Sequence, residues 1–380
     1  MTQKNSHRRW KIPPLIGLVL VTLLAVGLTI ASSNPFPNSP ATLPTGELSP
    51  ELSPIKPLEI PTPISSSNQI EIPQISSTRI IADVEELAFE RYSPSQLELA
   101  RQYIIQQLHE AGWKLQQQEF EGGINLYADR PGTDPDAGII LVAAHYDTVA
   151  FSPGADDNAT GVATVLEIAR ALGQRETVRS LRVAFFDQEE SGLWGSLAFA
   201  GNEELRANLK AAIIIDMIGY ACHNPGCQQY PAKLPVTPPS NKGDFLVVVG
   251  DAEHLPLLNI FHSANNSANN SVNNSANNSA TTQGLNSPTI HYPQALTLPI
   301  PFKGILMPDT LRSDHAPFWY QGIGAVLVTD TANLRNPHYH RPTDLVETID
   351  RSFFIGSAQV ILNVTTHLLE SRESLNTIDN

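Results

Sequence analysis

The sequence predicts an α/β fold, a three-layer sandwich with helices on both faces of a largely parallel, mixed central sheet. One observation is a series of short apolar runs, each suited to a buried strand: GIILVAAH, SLRVAFF, AAIIID, FLVVVG and AVLVTD. The other is a helical pattern between the early runs, clearest in VATVLEIARAL, where the apolar residues fall on one face. Strands that alternate with helices are typical of sheets whose strands run parallel.

A further helix is predicted before the first of these strands, in SPSQLELARQYIIQQLHEAGW. Ser93 and Gln96 have the spacing of a capping box, which marks the start of a helix. An apolar stripe follows on one side of the helix, formed by Leu97, Ala100, Ile104 and Leu108. We therefore expect the folded domain to run from about residue 80 to the C-terminus at residue 380.

The N-terminal region predicts an exported protein. Arg8, Arg9 and Lys11 precede an uncharged apolar run from Leu15 to Ala31. Basic residues before such a run keep that end in the cytoplasm, so the chain after it is expected outside. We favour a retained transmembrane anchor, and a signal peptide cleaved after the small residues that follow the run is the alternative.

This organisation divides the chain into four parts. Residues 1–11 are predicted to be cytoplasmic and 12–31 to cross the membrane, while 32–77 form a linker rich in Pro and Ser. The folded domain is predicted over 80–380. It contains an Asn- and Ser-rich repeat at 263–279, which we expect to be a disordered insertion.

The net charge bears on the class of partner. The formal net charge is −14, which argues against nucleic acid as a partner because proteins that bind nucleic acid need a basic footprint.

The chain has two cysteines, Cys222 and Cys227, separated by HNPG. An exported domain permits oxidation, so a disulfide is expected between them, and a zinc site is the weaker alternative because further ligands are not close by.

Polar residues follow the predicted strands at their carboxyl ends, where ligands bind in open α/β sheets. The first strand runs into His145 and Asp147, the second into DQEE, and the third into Asp216, while GADDNATG leads from the first strand to its helix. Acids at such positions are often helix caps, and Asp157 or Asn158 is a candidate N-cap for a helix over 159–172. Several acids and a histidine at one sheet edge instead indicate a metal site.

Two divalent cations would account for adjacent acids that otherwise repel each other, because a bound cation stabilises ionised carboxylates. Paired ions about 3.5–4 Å apart need a bridging carboxylate and terminal ligands on each side. Mixed imidazole and carboxylate ligands favour zinc over magnesium or calcium.

Five segments in order resemble the co-catalytic zinc aminopeptidases of metallopeptidase family 28: HYDTVAFSPGADDNATG, FFDQEESGLWGS, IIIDMIGY, SDHAPFW and YHRPTDL. The resemblance implies the zinc aminopeptidase fold, also called phosphorylase/hydrolase-like, peptide substrates and two zinc ions per chain. It makes Asp156 the bridging carboxylate, and the peptide bond between Asp156 and Asp157 is expected to be cis. The remaining metal ligands implied are His145 and Asp216 on one ion, and Glu190 and His340 on the other.

The same resemblance makes Glu189 the general base and Asp147 the catalytic-site residue that orients His145. His340 is preferred to His338 because it matches the spacing of the family's His-x-x-x-Asp block. Asp314 and His315 resemble a block near the site that does not bind metal, and we expect them to support it by hydrogen bonds.

Three classes of function remain open on the sequence. The complete ligand set favours an aminopeptidase, and a carboxypeptidase is a second possibility within the same superfamily. A glutaminyl cyclase, an acyltransferase on a related scaffold, is the main alternative and would use a single zinc. A binding ectodomain without catalysis is disfavoured because all five ligands and Glu189 are present.

The N-terminal pattern makes a prediction about topology. Protease added outside intact cells should cut the linker over 32–77 and release an active fragment, because the domain is expected outside the membrane. Activity in the supernatant before and after proteolysis measures this. A catalytic domain that stays protected in the cytoplasm would contradict the predicted export and would remove the basis for the disulfide.

Overall fold

An eight-stranded mixed sheet forms the centre of the computed structural model, and helices cover both of its faces, as the sequence predicts. The structure describes residues 70–230, 240–263 and 292–376. All of them fall within one compact unit, Ser67–Asn380. The predicted membrane segment, nearly all of the predicted linker and the Asn- and Ser-rich repeat from residue 264 onward lie outside the described residues.

The strand order across the sheet is β1-β2-β4-β3-β5-β8-β6-β7. Strands β4, β3, β5 and β8 are parallel neighbours at its centre, and β6 and β7 are a second parallel pair that joins β8 antiparallel. The strands are β1 Leu115–Phe120, β2 Gly123–Arg130, β3 Ile139–His145, β4 Ser180–Phe186, β5 Leu209–Ile215, β6 Phe245–Asp251, β7 Gln294–Ile300 and β8 Ala325–Thr329.

The five apolar runs of the sequence correspond to β3, β4, β5, β6 and β8. The apolar pattern did not predict β1, β2 or β7. Strands β1 and β7 lie at the two edges of the sheet, where one side of the backbone needs no partner and polar residues or a proline are tolerated. Strand β1 is accordingly rich in glutamine, and β7 contains Pro299.

Eight α-helices connect and cover these strands in the described residues. They are α1 Ser77–Leu87, α2 Pro94–Glu110, α3 Gly161–Leu172, α4 Trp194–Gly201, α5 Glu203–Arg206, α6 over 255–263, α7 Ala316–Tyr320 and α8 Arg351–Glu370. Helix α2 begins at the predicted capping box of Ser93 and Gln96, and its predicted apolar stripe is buried. Helix α1, which the sequence did not predict, is the first helix of the described residues.

The core has two halves, one on each face of the sheet. Along β3, the side chains of Ile140, Val142 and Ala144 enter the half that contains the apolar faces of α1, α2, α3 and α8. The alternate residues Leu141 and Ala143 enter the half that contains α4 and α7. A strand buried on both faces needs apolar residues at every position, which explains the unbroken run in the sequence.

Helix α8 packs deep in the first half of the core. Of the described helices, it is the one that is long and apolar enough to span a membrane. Within that apolar stretch, 83% of the residues are buried inside the domain, as expected of a core helix. Its length and composition are therefore explained by packing against the sheet.

Candidate active site

The ends of β3 and β5 and the turn that follows β3 bring together one group of side chains that could hold a metal ion. His145 is the last residue of β3, and Asp216 directly follows β5, the parallel neighbour of β3. The Nε2 atom of His145 lies 3.5 Å from Oδ1 of Asp216 and 3.4 Å from Oδ1 of Asp157. Asp157 belongs to the turn that leads from β3 to α3.

A second group shares the same carboxylate. The other oxygen of Asp157, Oδ2, lies 3.2 Å from Nε2 of His340. That nitrogen is in turn 3.1 Å from Oε2 of Glu190, in the loop after β4. The carboxylate of Asp157 thus stands between two histidines, each of which has a further acid beside it.

The prediction that Asp156 supplies the shared carboxylate is wrong. Asp156 points away from both histidines: Oδ1 accepts the backbone N–H of Gly219 at 2.8 Å, and Oδ2 accepts the side-chain N–H of Asn336 at 2.8 Å. Successive side chains in a turn point in different directions, and a sequence with two adjacent acids does not say which faces the site. The cis peptide bond is displaced likewise, and joins Asp157 to Asn158.

The turn is fixed by contacts from distant parts of the chain. The carboxylate of Asp344 accepts the backbone N–H groups of Asp156 and Asp157 at 2.9 and 3.0 Å. From the other side, the buried guanidinium of Arg91 donates to the carbonyl oxygens of Pro153 at 2.9 Å and Gly154 at 3.0 Å. These contacts fix the backbone that aims the carboxylate of Asp157.

Gly154 is required at the start of this turn. Its φ is +60°, and a Cβ atom there would lie 2.2 Å from the carbonyl oxygen of Asp157. Any larger residue would therefore displace the backbone that carries the shared carboxylate.

Asn158 links this turn to the neighbouring strand. Its side-chain oxygen accepts the N–H of Gly161 at 3.0 Å, at the start of α3, and the N–H of Met217 at 3.2 Å. Its amide nitrogen donates to the carbonyl of Ile215 at 2.8 Å. Of the two candidate caps, Asn158 therefore binds the first turn of α3, while Asp157 faces the site. The same side chain fixes the end of β5, where Asp216 lies.

Asp147 organises the residues on the other side of His145. Its Oδ1 accepts the backbone N–H of Glu189 at 3.0 Å, and its Oδ2 accepts that of Glu190 at 3.1 Å. Oδ1 also lies 3.4 Å from Nδ1 of His145. A single carboxylate therefore contacts the imidazole and both glutamates.

Burial and mutual repulsion shape the charges at the site. Burial raises the pKa of Glu189 well above its usual range, and the nearby carboxylates of Asp314 and Asp216 add to this against the opposing effect of His145. Burial and the charge of Asp157 raise the pKa of Glu190 to about 7. So many acids in one place are stable when cations neutralise them.

Asp157 behaves in the opposite way. Burial acts to raise its pKa, but contacts with the rings of His145 and His340 outweigh this, and the pKa falls below the usual range. Asp157 therefore keeps its negative charge between the two imidazoles, as a shared metal ligand must.

The other sequence candidates lie outside the two groups. The Nδ1 atom of His338 is 3.0 Å from the hydroxyl of Thr343, and its ring meets the edge of Tyr220. The Nε2 atom of His315 lies 2.8 Å from the carbonyl oxygen of Thr310.

Cys222 and Cys227 form a disulfide with their Cα atoms 6.2 Å apart.

Asp314 lies buried beside the acidic cluster. Neither of its carboxylate oxygens has a well-formed hydrogen bond to the described residues. Burial raises its pKa to about 7. The expectation that Asp314 supports the site through hydrogen bonds stays a prediction.

Asp344 and Arg91, which position the site, had no role assigned from the sequence, and Asp157 had a different role assigned to it. Asp344 lies in the quoted YHRPTDL segment, and its spacing from His340 was the available signal. Asp157 was considered as a helix cap, although it lies next to Asp156 in GADDNATG. Nothing in the local sequence around Arg91 indicates that its guanidinium lies fully buried under the turn.

The donor set fits a pair of zinc ions. Two atoms bound to one tetrahedral zinc at about 2.0–2.2 Å lie roughly 3.3–3.6 Å apart, and the four contacts above measure 3.1–3.5 Å. The buried atoms Asp157 Oδ2 and Glu190 Oε1 lack a well-formed hydrogen bond to the described residues, although each lies in this cluster. Imidazole nitrogens and carboxylate oxygens that converge in this way are the donors that a zinc ion requires.

Comparison with solved structures identifies the fold. LapA, an aminopeptidase of Legionella pneumophila, superimposes with a TM-score of 0.58 at 17% identity, over 79% of this chain and 73% of LapA. A glutaminyl cyclase of Porphyromonas gingivalis superimposes with a TM-score of 0.55 at 16% identity, over 78% of this chain and 99% of the cyclase. The α/β fold is therefore shared by enzymes of both types.

Sequence comparison identifies the family. The sequence model of Peptidase family M28 matches residues 125–279. The uncharacterized protein YfbL of Escherichia coli is 31% identical over 262 residues, which cover 65% of this chain and 71% of YfbL. Aminopeptidase YwaD of Bacillus subtilis is 39% identical over 84 residues, or 21% of this chain and 18% of YwaD. The chain belongs to peptidase family M28, a family of peptide hydrolases.

The geometry predicts different effects for the two adjacent acids. Asp157→Asn should lower the metal content and reduce activity by at least about 100-fold, because an amide is a poor zinc ligand. Asp156→Asn should keep the metal and lower the free energy of unfolding by about 1–3 kcal/mol, because a buried hydrogen bond is lost. Elemental analysis and thermal denaturation of both variants measure this. Metal loss in Asp156→Asn alone would restore the sequence-based assignment.

Proposed function

We propose that the protein is a zinc-dependent aminopeptidase that removes N-terminal residues from peptides with two zinc ions per chain. The observation that carries this proposal is the carboxylate of Asp157, which lies within 3.4 Å of one histidine and 3.2 Å of another. A single zinc would leave one of these groups of donors without a function. Family membership and the names of relatives such as YwaD support the reaction class.

Each zinc would take one histidine, one terminal acid and a share of Asp157. His145 and Asp216 would hold the first ion, and Glu190 and His340 the second. When bound, the ions would polarise the scissile carbonyl and acidify the attacking water. The carboxylate of Asp147, 3.4 Å from Nδ1 of His145, would keep Nε2 of that ring directed at the site.

Glu189 would act as the general base. Its side chain is mostly buried beside Glu190, and its backbone N–H is held by Asp147, so the carboxylate is supported at the edge of the donor cluster. It would accept a proton from the attacking water and deliver it to the leaving amine nitrogen. Burial raises the pKa of this carboxylate, which makes it a stronger base, and bound cations would keep it ionised before the proton transfer.

Glutaminyl cyclase remains the alternative, since a cyclase shares the fold. A carboxypeptidase would use the same metal centre and differ in which peptide terminus it binds. The donor set of five residues around a shared carboxylate supports two ions and hence hydrolysis over cyclisation. The two peptidase types are separated by which end of a tripeptide is released first.

The catalytic domain is proposed to lie outside the cytoplasm, either anchored by the N-terminal segment or released after cleavage. The basic residues before the apolar run support this placement. The disulfide between Cys222 and Cys227 agrees with an oxidising compartment.

Metal reconstitution and a substrate panel test the proposed function. The purified domain should bind two zinc ions, lose activity with a chelator and regain it with zinc, because every hydrolytic step depends on that centre. Tripeptides, peptides blocked at the N-terminus and peptides with N-terminal glutamine should be assayed together. One tightly held zinc with full activity, or conversion of N-terminal glutamine without hydrolysis, would favour the cyclase.

Glu189 and Glu190 should respond differently to the same substitution. Glu189→Gln should keep both zinc ions and lower kcat by at least about 10²–10⁴-fold with little change in KM, because it removes a proton acceptor. Glu190→Gln should loosen one zinc ion, and excess zinc should recover part of the activity. Zinc content and kcat of both variants decide between the roles, and the opposite pattern would exchange them.

A further inference from the structure

Arg312 is an exposed arginine at the rim of the candidate active site. Its Nη1 donates to the side-chain oxygen of Asn333 at 3.2 Å, and its Nη2 donates to the hydroxyl of Tyr339 at 3.2 Å. Both partners are neutral, and no carboxylate within 4.0 Å of the guanidinium belongs to the described residues. The cation is therefore held in place without being neutralised.

Three other exposed arginines of the domain, Arg79, Arg351 and Arg372, are paired with acids, whereas Arg341 has no ion pair among the described residues. Arg351 lies 3.2 Å from a carboxylate oxygen of Glu85, and Arg372 lies 2.8 Å from one of Asp134. In a chain with a net charge of −14, acids to pair with an arginine are abundant. An arginine fixed by two neutral groups is thus a site at which an external anion can supply the missing charge.

The position of Arg312 connects it to the metal centre. The ring of Tyr339 stacks on the ring of His340, with centroids 3.7 Å apart and planes 21° from parallel. The guanidinium therefore stands one tyrosine ring away from a candidate zinc ligand.

We propose that Arg312 binds a carboxylate of the peptide substrate and so selects peptides that carry one close to the scissile bond. This inference rests on the proposed peptidase function. A guanidinium has five N–H donors, and the two hydrogen bonds above leave the rest for a ligand. Its planar fork matches the two oxygens of a carboxylate, and the anchored side chain loses little conformational freedom on binding.

Two parts of a peptide can supply this carboxylate. One is the C-terminal carboxylate of a short peptide, and the other is the side chain of an aspartate or glutamate near the cleaved bond. Matched substrates separate them: a dipeptide and its C-terminal amide differ in the first carboxylate. Dipeptide amides with Asp or Asn in either position differ in the second.

The test compares kcat and KM of the unaltered chain and of Arg312→Gln on these substrates. The unaltered chain should prefer one carboxylate-bearing substrate over its neutral match. Arg312→Gln should reduce kcat/KM for that substrate by about 5- to 20-fold, mainly through KM, and leave the neutral match nearly unchanged. Arg312→Lys should recover part of the loss because it keeps the charge without the fork.

Arg372→Gln is the matched control because it removes the same charge at a different place. Arg372 pairs with Asp134, which precedes β3 and therefore lies at the end of that strand opposite the site. It should leave the preference intact. An equal loss on charged and neutral substrates in Arg312→Gln would show that the residue only fastens two loops, and the inference would be wrong.

Binding measurements keep the two proposals distinguishable. Calorimetry with the same peptides should show weaker binding of the charged substrate to Arg312→Gln than to the unaltered chain. If the unaltered chain hydrolyses no peptide, the proposed function fails, and this binding comparison still decides the role of Arg312. Equal affinities in the two chains would overturn the inference even where peptides are hydrolysed.

Discussion

The carboxylate of Asp157, placed between His145 and His340, is the interaction on which the rest of the site depends. It joins two groups of donors that are interleaved along the sequence between His145 and His340. A buried cluster with this many acids carries a large electrostatic cost unless cations neutralise it. The fold directs the imidazole nitrogens and carboxylate oxygens of each group at a common point, and the surrounding backbone keeps them in these positions.

The sheet provides the first level of that support. Parallel strands β3 and β5 end side by side, so His145 and Asp216 reach the same edge without any special loop. Loops bring the remaining donors, and buried side chains from far along the chain fix those loops. Asp344 and Arg91 hold the backbone of the turn from either side, and removing either would leave buried polar groups unpaired.

Beneath the donors lies a second layer of acids with a different purpose. Asp156 accepts backbone and side-chain N–H groups from the loops after β5 and β8. Its contacts join the segment that carries Asp216 to the segment that carries His340. The two adjacent acids thus have different roles: Asp157 faces the candidate metal site, and Asp156 joins the loops around it.

The sequence by itself determined the fold class, the five buried strands and the kinds of residues at the sheet edge. It could do so because burial on both faces of a strand and the spacing of a capping box leave direct marks on local sequence. Only the tertiary structure decided that Asp157 rather than Asp156 is shared, that Arg91 lies under the turn, and that Arg312 stands next to Tyr339. Side-chain direction in a turn and contacts between distant segments depend on how the backbone is held, which short-range patterns do not record.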